Sequence, residues 1–129
     1  NASPYGVPVT AKFRMGLFDD WLTHLRTGEV CAEEGVAAIA LHARTVQQHY
    51  SGEARWEAIA ELKDAVGSIP VLGNGDIWEA SDAVEMMRRT GCDGVVIGSR
   101  LRSHPRRLDR HISLVLLAVV AQGCDKPIQ

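Results

Sequence analysis

Two pairs of side chains in this sequence could bind or polarise an anion. Lys12 and Arg14 form one pair, and His42 and Arg44 form the other, each with a single residue between its members. Because successive side chains alternate across a strand, both members of a pair lie on the same face of a strand. A face that carries two cations cannot be buried in an apolar core. These pairs therefore need water, an anionic partner or a ligand.

Two glycine-bearing segments each come at the end of a run of apolar, strand-forming residues. One runs from Leu72 to Asp76 and the other from Gly94 to Gly98. Glycine allows the backbone to approach an anion closely, and exposed N–H groups with the positive end of the following helix attract it. Consecutive strands of a βα barrel form phosphate sites in this way. The two segments therefore indicate a cofactor that carries a phosphate.

The elements that position these residues follow from hydrophobic periodicity and glycine stops. Polar residues without apolar periodicity predict a loop from Thr45 to Arg55, at the C-terminal end of the second strand, and a further loop runs through Asp19 and Asp20. The sequence predicts four strands: Val7 to Met15, Val36 to His42, Ile69 to Gly73 and Asp93 to Ile97. It also predicts three helices, of which the first ends near Glu33, the second runs from Trp56 to Val66 and the third runs from Trp78 to Thr90.

The fold class follows from this alternation of strands and helices. The order βαβαβαβ predicts an α/β protein with a parallel sheet. A complete eight-stranded βα barrel needs roughly 200 residues or more, whereas this sequence has 129. We therefore expect a partial (β/α)8 TIM barrel with four parallel strands and alternating helices.

Composition and charge narrow the function only slightly. A formal net charge of −2 gives no overall attraction to nucleic acid. The three cysteines, Cys31, Cys92 and Cys124, form no CxxC pair and predict neither a disulfide framework nor a metal site. The N-terminus lacks the features of a signal peptide, which favours a cytoplasmic location. The apolar run from Ile112 to Ala121 is too short to span a bilayer, so no membrane association is expected.

Four motifs, taken together, closely resemble those of the tRNA-dihydrouridine synthase family. Their order and spacing match as well, and the resemblance extends from Val7 to Gly98. The motifs are Pro8 to Gly16, Leu41 to Thr45 followed by Gln48 to Gly52, Ile69 to Ile77, and Gly91 to Gly98. The resemblance implies that residues 1–98 form the second half of an FMN-binding barrel, followed by a divergent tail over residues 99–129 that is helical or out of frame.

The resemblance also implies flavin chemistry on RNA. In this family NADPH reduces FMN, the reduced flavin delivers hydride to a uracil ring in tRNA, and an acidic cysteine supplies the proton. The expected cofactors are therefore FMN and NADPH, and the expected partner is tRNA. None of the three cysteines matches the catalytic motif, so no catalytic residue is assigned in this chain, and the chain alone is expected to bind FMN weakly and to be inactive.

Carried over by position, the family's cofactor contacts fall on residues of both strand pairs and both glycine segments. Lys12 would contact the pyrimidine edge of the flavin, and His42 would hydrogen-bond the flavin or the uracil. Alternatively, Lys12 is a strand-end lysine that reaches solvent, and His42 is a structural histidine. The residues expected to surround the phosphate and ribityl chain are Asn74, Gly75, Asp76, Gly98 and Ser99.

Asp76 and the substrate-facing residues have alternatives of their own. The carboxylate of Asp76 is expected to bond a sugar hydroxyl or to cap the following helix, because it would repel phosphate. Arg44 is expected to hold RNA or a neighbouring carboxylate, Arg14 to face the substrate, and Tyr50 to stack on an unstacked base. A solvated loop is the alternative for Tyr50.

The tail departs from the family pattern at Ser99. The family continues Gly98 with an arginine that pairs with the phosphate, whereas here the arginine comes one position later, at Arg100. The segment that follows is rich in arginine, serine and histidine. We interpret this departure as a reading-frame shift near codon 98, which translation of the other two frames would test.

Two further functions remain open at this point. One is another FMN barrel, such as a relative of dihydroorotate dehydrogenase, although that group lacks the His42 to Thr45 and Tyr50 to Gly52 motifs. The other is a non-catalytic half-barrel that binds phosphate or RNA and functions only with a partner.

Overall fold

A parallel sheet organises the chain in the computed structural model, which describes residues 4–49, 51–97 and 118–119. Strands β1 (Thr10–Arg14), β4 (Ala38–His42), β5 (Val71–Asn74) and β6 (Gly94–Val95) are parallel neighbours in that order. Helices α1 (His24–Glu33), α2 (Glu57–Val66) and α3 (Ala80–Thr90) alternate with them. The prediction of four parallel strands with alternating helices is confirmed.

A glycine follows each of the three helices in the described part of the chain, and the sequence predicts two of these stops, at Gly35 and Gly91. Gly35, Gly67 and Gly91 have φ angles of 75°, 63° and 68°, in the left-handed region that a side chain disfavours. The start of α3 differs from expectation. Its capping box is formed by Glu79 and Asp82, so the alternative that Asp76 caps this helix is wrong. A carboxylate three residues into the helix reaches back to the free N–H groups more directly.

The main core lies between the sheet and the helices. Ile39 and Leu41 of β4 are fully buried on the face that α2 covers, where Ile59 and Leu62 are also fully buried. Burying each such side chain stabilises the fold by about 1.5–3 kcal/mol. The opposite face carries a separate small cluster of Ala40, Leu72 and Val96. Bulky residues of this strand therefore face the helices, and small residues lie on the other side.

A short hairpin follows β1 where the sequence predicts only a loop. Strands β2 (Gly16–Phe18) and β3 (Trp21–Leu22) pair antiparallel, with Asp19 and Asp20 at the turn. Strands of two or three residues carry too little periodicity to be recognised in a sequence. The hairpin is attached to the loop after β4, because Val46 N–H donates to the Gly16 carbonyl and Gln47 N–H to the Leu17 carbonyl.

Two residues of the tail are described, and they form a strand. β7 (Ala118–Val119) pairs antiparallel with β6 at the edge of the sheet. The remainder of the apolar run from Ile112 to Ala121 lies outside the described residues, so the division at residues 98 and 99 stays a prediction. No helix in the described ranges is long and apolar enough to cross a membrane.

Candidate functional site

Three polar side chains form a row across the carboxyl ends of β1, β4 and β5. Arg14 is paired in register with His42, and His42 is paired in register with Asn74. Paired residues of parallel strands point to the same side of a sheet. This side is opposite the helices, because the alternating residues Ile39 and Leu41 face them. The Asn74 amide donates to the Val96 carbonyl at 2.6 Å, which fixes its orientation.

This face of the sheet is strongly cationic, and His42 responds to that charge. Burial and the charges of Arg14, Lys12 and Arg44 together lower the pKa of His42 to about 4, while Asp76 opposes them. Burial and the neighbouring Arg14 also lower the pKa of Lys12. His42 is therefore a neutral imidazole at pH 7, available as a hydrogen-bond donor at one nitrogen and an acceptor at the other.

A buried ion pair joins the loops that follow β4 and β5. Arg44 is only 4 % exposed, and its Nη2 donates to Asp76 Oδ1 at 2.6 Å. Its Nη1 donates to the Ser51 carbonyl at 2.7 Å. The other Asp76 oxygen accepts the Ala54 N–H at 2.6 Å. Of the two roles predicted for Arg44, this geometry matches contact with a neighbouring carboxylate.

The turn after β5 leaves three consecutive backbone donors open. The N–H groups of Gly75, Asp76 and Ile77 donate to no other residue within the described ranges. On the other side of the same turn, the Gly75 carbonyl accepts the Trp56 indole N–H at 3.0 Å. Gly75 has a φ angle of 124°, and a Cβ there would lie 2.8 Å from the Cβ of Ala54. This position therefore requires glycine for both conformation and space.

A second network holds the loop between β4 and α2 against the hairpin. The Thr45 hydroxyl and Arg55 Nη2 both donate to Asp19 Oδ1, at 3.1 Å and 2.7 Å. Gln48 exchanges hydrogen bonds with the backbone and hydroxyl of Thr45. Arg14 Nη1 donates to the Thr45 carbonyl at 3.0 Å. Arg14 thus connects the row of polar side chains directly to this loop.

The structure brings most of the predicted site residues to one end of the sheet. Lys12, which is only partly exposed, lies two residues before Arg14 on the same face of β1, in register with Ala40. The predicted residues Tyr50, Gly98 and Ser99 lie outside the described residues. The residues found at this end of the sheet are Lys12, Arg14, His42, Arg44, Asn74, Gly75 and Asp76.

Sequence reasoning missed two contributors to this region, Trp56 and Asp19. We expect tryptophan just before a helix to be a packing residue, and nothing in its spacing signals a hydrogen bond to a carbonyl 19 residues away. The sequence identifies Asp19 only as a carboxylate in a loop and does not indicate its contacts with Thr45 and Arg55. Among the described residues, no group of three or more histidine, cysteine or acidic side chains could hold a metal ion.

The two described cysteines lie away from this end of the sheet. Cys92 is buried, and its thiol donates to the Gly94 carbonyl at 3.2 Å near the start of β6. Cys31 is half-buried in α1. Neither lies at the carboxyl end of a strand, where a catalytic acid of a βα barrel must stand.

Comparison with known proteins shows which family this chain resembles. A sequence model of the dihydrouridine synthase family matches residues 2–122. A probable tRNA-dihydrouridine synthase from Mycobacterium leprae is 59 % identical over 99 residues, which are 77 % of this chain and 26 % of that protein. A probable tRNA-dihydrouridine synthase from Aquifex aeolicus is 43 % identical over 102 residues, covering 79 % of this chain and 31 % of its own length.

A tRNA-dihydrouridine synthase B from Xanthomonas axonopodis is 40 % identical over 99 residues, again with 77 % of this chain and 30 % of the relative. The chain thus spans between a quarter and a third of the length of these curated relatives. Because the family model matches residues 2–122 of the 129 and a curated relative is 59 % identical over 77 % of this chain, the chain belongs to the dihydrouridine synthase family.

Proposed function

We propose that this chain is the part of a tRNA-dihydrouridine synthase that holds the phosphate and one edge of an FMN cofactor. The observation that carries the proposal is the set of open N–H groups at Gly75, Asp76 and Ile77, next to the row of Arg14, His42 and Asn74. Successive free amides at the end of a strand attract an anion. Arg14 in this row and Lys12 on the same face favour the same charge.

The described residues fit a flavin mononucleotide in two respects. The turn at Gly75 presents three consecutive N–H groups that have no acceptor among the described residues, which suits close approach of the backbone to a phosphate. Lys12 stands on the open face, where a cation would favour negative charge on the pyrimidine edge of the ring. When bound, FMN would supply the hydride chemistry, with NADPH as the reductant. Gly98 and Ser99 would complete the phosphate site one strand later.

The proposed substrate is a uridine in tRNA, reduced to dihydrouridine. Neutral His42 would donate a hydrogen bond to the flavin or to a uracil carbonyl, since its lowered pKa leaves it uncharged at pH 7. Arg14 and Tyr50 would face the RNA, and Arg44 would hold the loop after β4 through its hydrogen bond to the Ser51 carbonyl. The proton donor would come from a cysteine outside this chain. The protein would act in the cytoplasm.

A comparison of FMN with riboflavin tests the cofactor proposal, because the two differ only in the phosphate. Titration of this chain, followed by flavin fluorescence, is expected to give an FMN affinity at least about tenfold above that of riboflavin, as a few charge-assisted hydrogen bonds imply. Raising the salt concentration should reduce the difference. Equal affinities for the two flavins would contradict the phosphate site.

Complementation tests the reaction itself. The chain is mixed with a segment of the Mycobacterium leprae relative that contains the remaining three quarters of its length, FMN, NADPH and unmodified tRNA. Mass spectrometry is expected to detect dihydrouridine only when both segments are present, and Lys12→Met should lower its yield. If tRNA binds but no dihydrouridine forms, the non-catalytic half-barrel is supported instead. Flavin reduction by dihydroorotate would support the other FMN barrel.

A further inference from the structure

The Gly75 carbonyl and the Asp76 N–H belong to one peptide group, and Trp56 holds that group from one side. Its indole N–H donates to the Gly75 carbonyl at 3.0 Å. In a trans peptide the C=O and the following N–H point in opposite directions, and the structure has no cis peptide among its described residues. With the carbonyl directed at Trp56, the Asp76 N–H must point away from Trp56.

We propose that Trp56 is a positioning residue that sets the orientation of the Gly75–Asp76 peptide and so keeps the Asp76 N–H directed at the phosphate. This inference rests on the proposed FMN site and deepens it. Trp56 would touch neither flavin nor substrate and would act only through the backbone of the turn.

The turn needs such support because its backbone is unusual. Gly75 has a φ angle of 124° and Asp76 one of 54°, so two consecutive residues have positive φ. A non-glycine residue rarely adopts this region without compensating contacts. A peptide between two such residues can rotate by coupled changes in its flanking dihedral angles. The hydrogen bond from Trp56 opposes that rotation, because the rotated carbonyl would lose its donor.

Asp76 is fixed independently through its side chain. Its two carboxylate oxygens accept hydrogen bonds from Arg44 and from the Ala54 N–H, both at 2.6 Å. These contacts hold Cα of Asp76 in place but do not determine which way the preceding peptide faces. Trp56 therefore has a role that the ion pair cannot replace, and all three partners come from the segment between β4 and α2.

Trp56 is itself held in place by a second contact. The guanidinium of Arg89 lies over its ring at 5.2 Å from the centroid and pairs with Glu57 at 2.9 Å. Trp56 and Trp78 both line a cleft with a volume of about 310 Å³. The indole N–H of Trp78 has no hydrogen-bond partner among the described residues. The two tryptophans thus provide a matched pair of sites, one with the proposed contact and one without.

The experiment uses the full chain with Trp56→Phe, which removes the N–H and keeps an aromatic ring under Arg89, and Trp78→Phe as its control. FMN and riboflavin are titrated against each. Trp56→Phe is expected to weaken FMN binding about fivefold, the size of one hydrogen bond, and to leave riboflavin within twofold. Trp78→Phe should leave both unchanged. An unchanged FMN to riboflavin ratio in Trp56→Phe would overturn the proposal.

A measurement without flavin separates this inference from the proposed function. In proton NMR spectra of the free chain, the Trp56 indole N–H is expected to exchange with solvent at least about tenfold more slowly than that of Trp78, because it is hydrogen-bonded. Equal exchange rates would overturn the contact itself. If the exchange difference is present but the chain shows no preference for FMN, the turn is held as described while the phosphate role fails together with the proposed site.

Discussion

Arg44 and Asp76 form an ion pair of 2.6 Å between the ends of two neighbouring strands. The arginine follows β4 and the aspartate follows β5, so the pair joins two segments that are 32 residues apart in sequence. The side chain of Arg44 is 5 % exposed and that of Asp76 is 22 % exposed. The pair is therefore shielded from solvent on one side and open on the other.

Removing the arginine should destabilise the protein markedly. Arg44→Met would leave Asp76 without its cation and the Ser51 carbonyl without its donor, at a cost of about 2–4 kcal/mol. Urea unfolding followed by circular dichroism measures the change. Arg88→Met is the control, because Arg88 forms only an exposed pair with Glu85 one helical turn away. Equal unfolding midpoints for the two variants would contradict the structural role of Arg44.

His42 should titrate well below a normal histidine. Its pKa of about 4 in the folded chain lies below the unfolded value of 6.5, so the unfolded chain binds more protons between these limits. Stability is therefore expected to be fully present above pH 6.5 and to decline as the pH falls towards 4. An NMR titration of the His42 ring measures the pKa.

Lys12→Met provides the charge test for His42. Removing that cation should raise the pKa of His42, because Lys12 is one of the charges that oppose its protonation. Arg88→Gln, far from the row, should leave the pKa unchanged. A midpoint for His42 near 6.5 in the unmodified chain would show that the cationic face does not act on it.

Glycine at position 75 should be required for both conformation and space. Gly75→Ala is expected to cost about 2 kcal/mol or more, from positive φ together with a clash at Ala54. Gly35→Ala provides the comparison, since Gly35 also has positive φ but a Cβ there would meet nothing within 4 Å. Thermal unfolding of both variants measures the additional cost at position 75, which combines its less accessible φ angle with the clash. If they lose equal stability, the clash with Ala54 does not contribute.

Asp93 should stabilise the fold at the start of β5, and this stabilisation should depend on pH. Burial acts to raise the pKa of Asp93, but hydrogen bonds from Lys63 and the Val71 N–H outweigh it and the pKa is lowered. A carboxyl group with a lowered pKa stabilises the folded chain at pH values above its unfolded pKa. This stabilisation is lost as the pH falls through the pKa of the folded state.

Asp93→Asn should therefore reduce stability at pH 7 by about 1 kcal/mol, as expected for a partly exposed pair with one backbone contact. The difference from the unmodified chain should shrink below pH 4, where the carboxyl group becomes protonated. Unfolding by urea at several pH values measures both effects, and a constant difference at all pH values would contradict the assignment.

Much of the fold could be predicted because its signals are local. The alternation of bulky and small residues in β4 identified which face meets the helices, and glycines marked the helix ends at Gly35 and Gly91. The hairpin from Gly16 to Leu22 could not be predicted, because two strands of two and three residues have no measurable period. Helix capping is one of the two roles expected of Asp76, but Glu79 caps α3 instead. Both carboxylates precede that helix, and only distance decides between them.

The sequence by itself determined the family, the parallel strand order and the residues at the strand ends, since these depend on periodicity and on motifs of adjacent residues. Only the tertiary structure decided what those residues contact. Arg44 pairs with Asp76, and Trp56 binds the carbonyl of Gly75, because parallel strands bring successive loops to the same edge of the sheet. Contacts between residues so far apart in sequence depend on register and loop path, which no local pattern encodes.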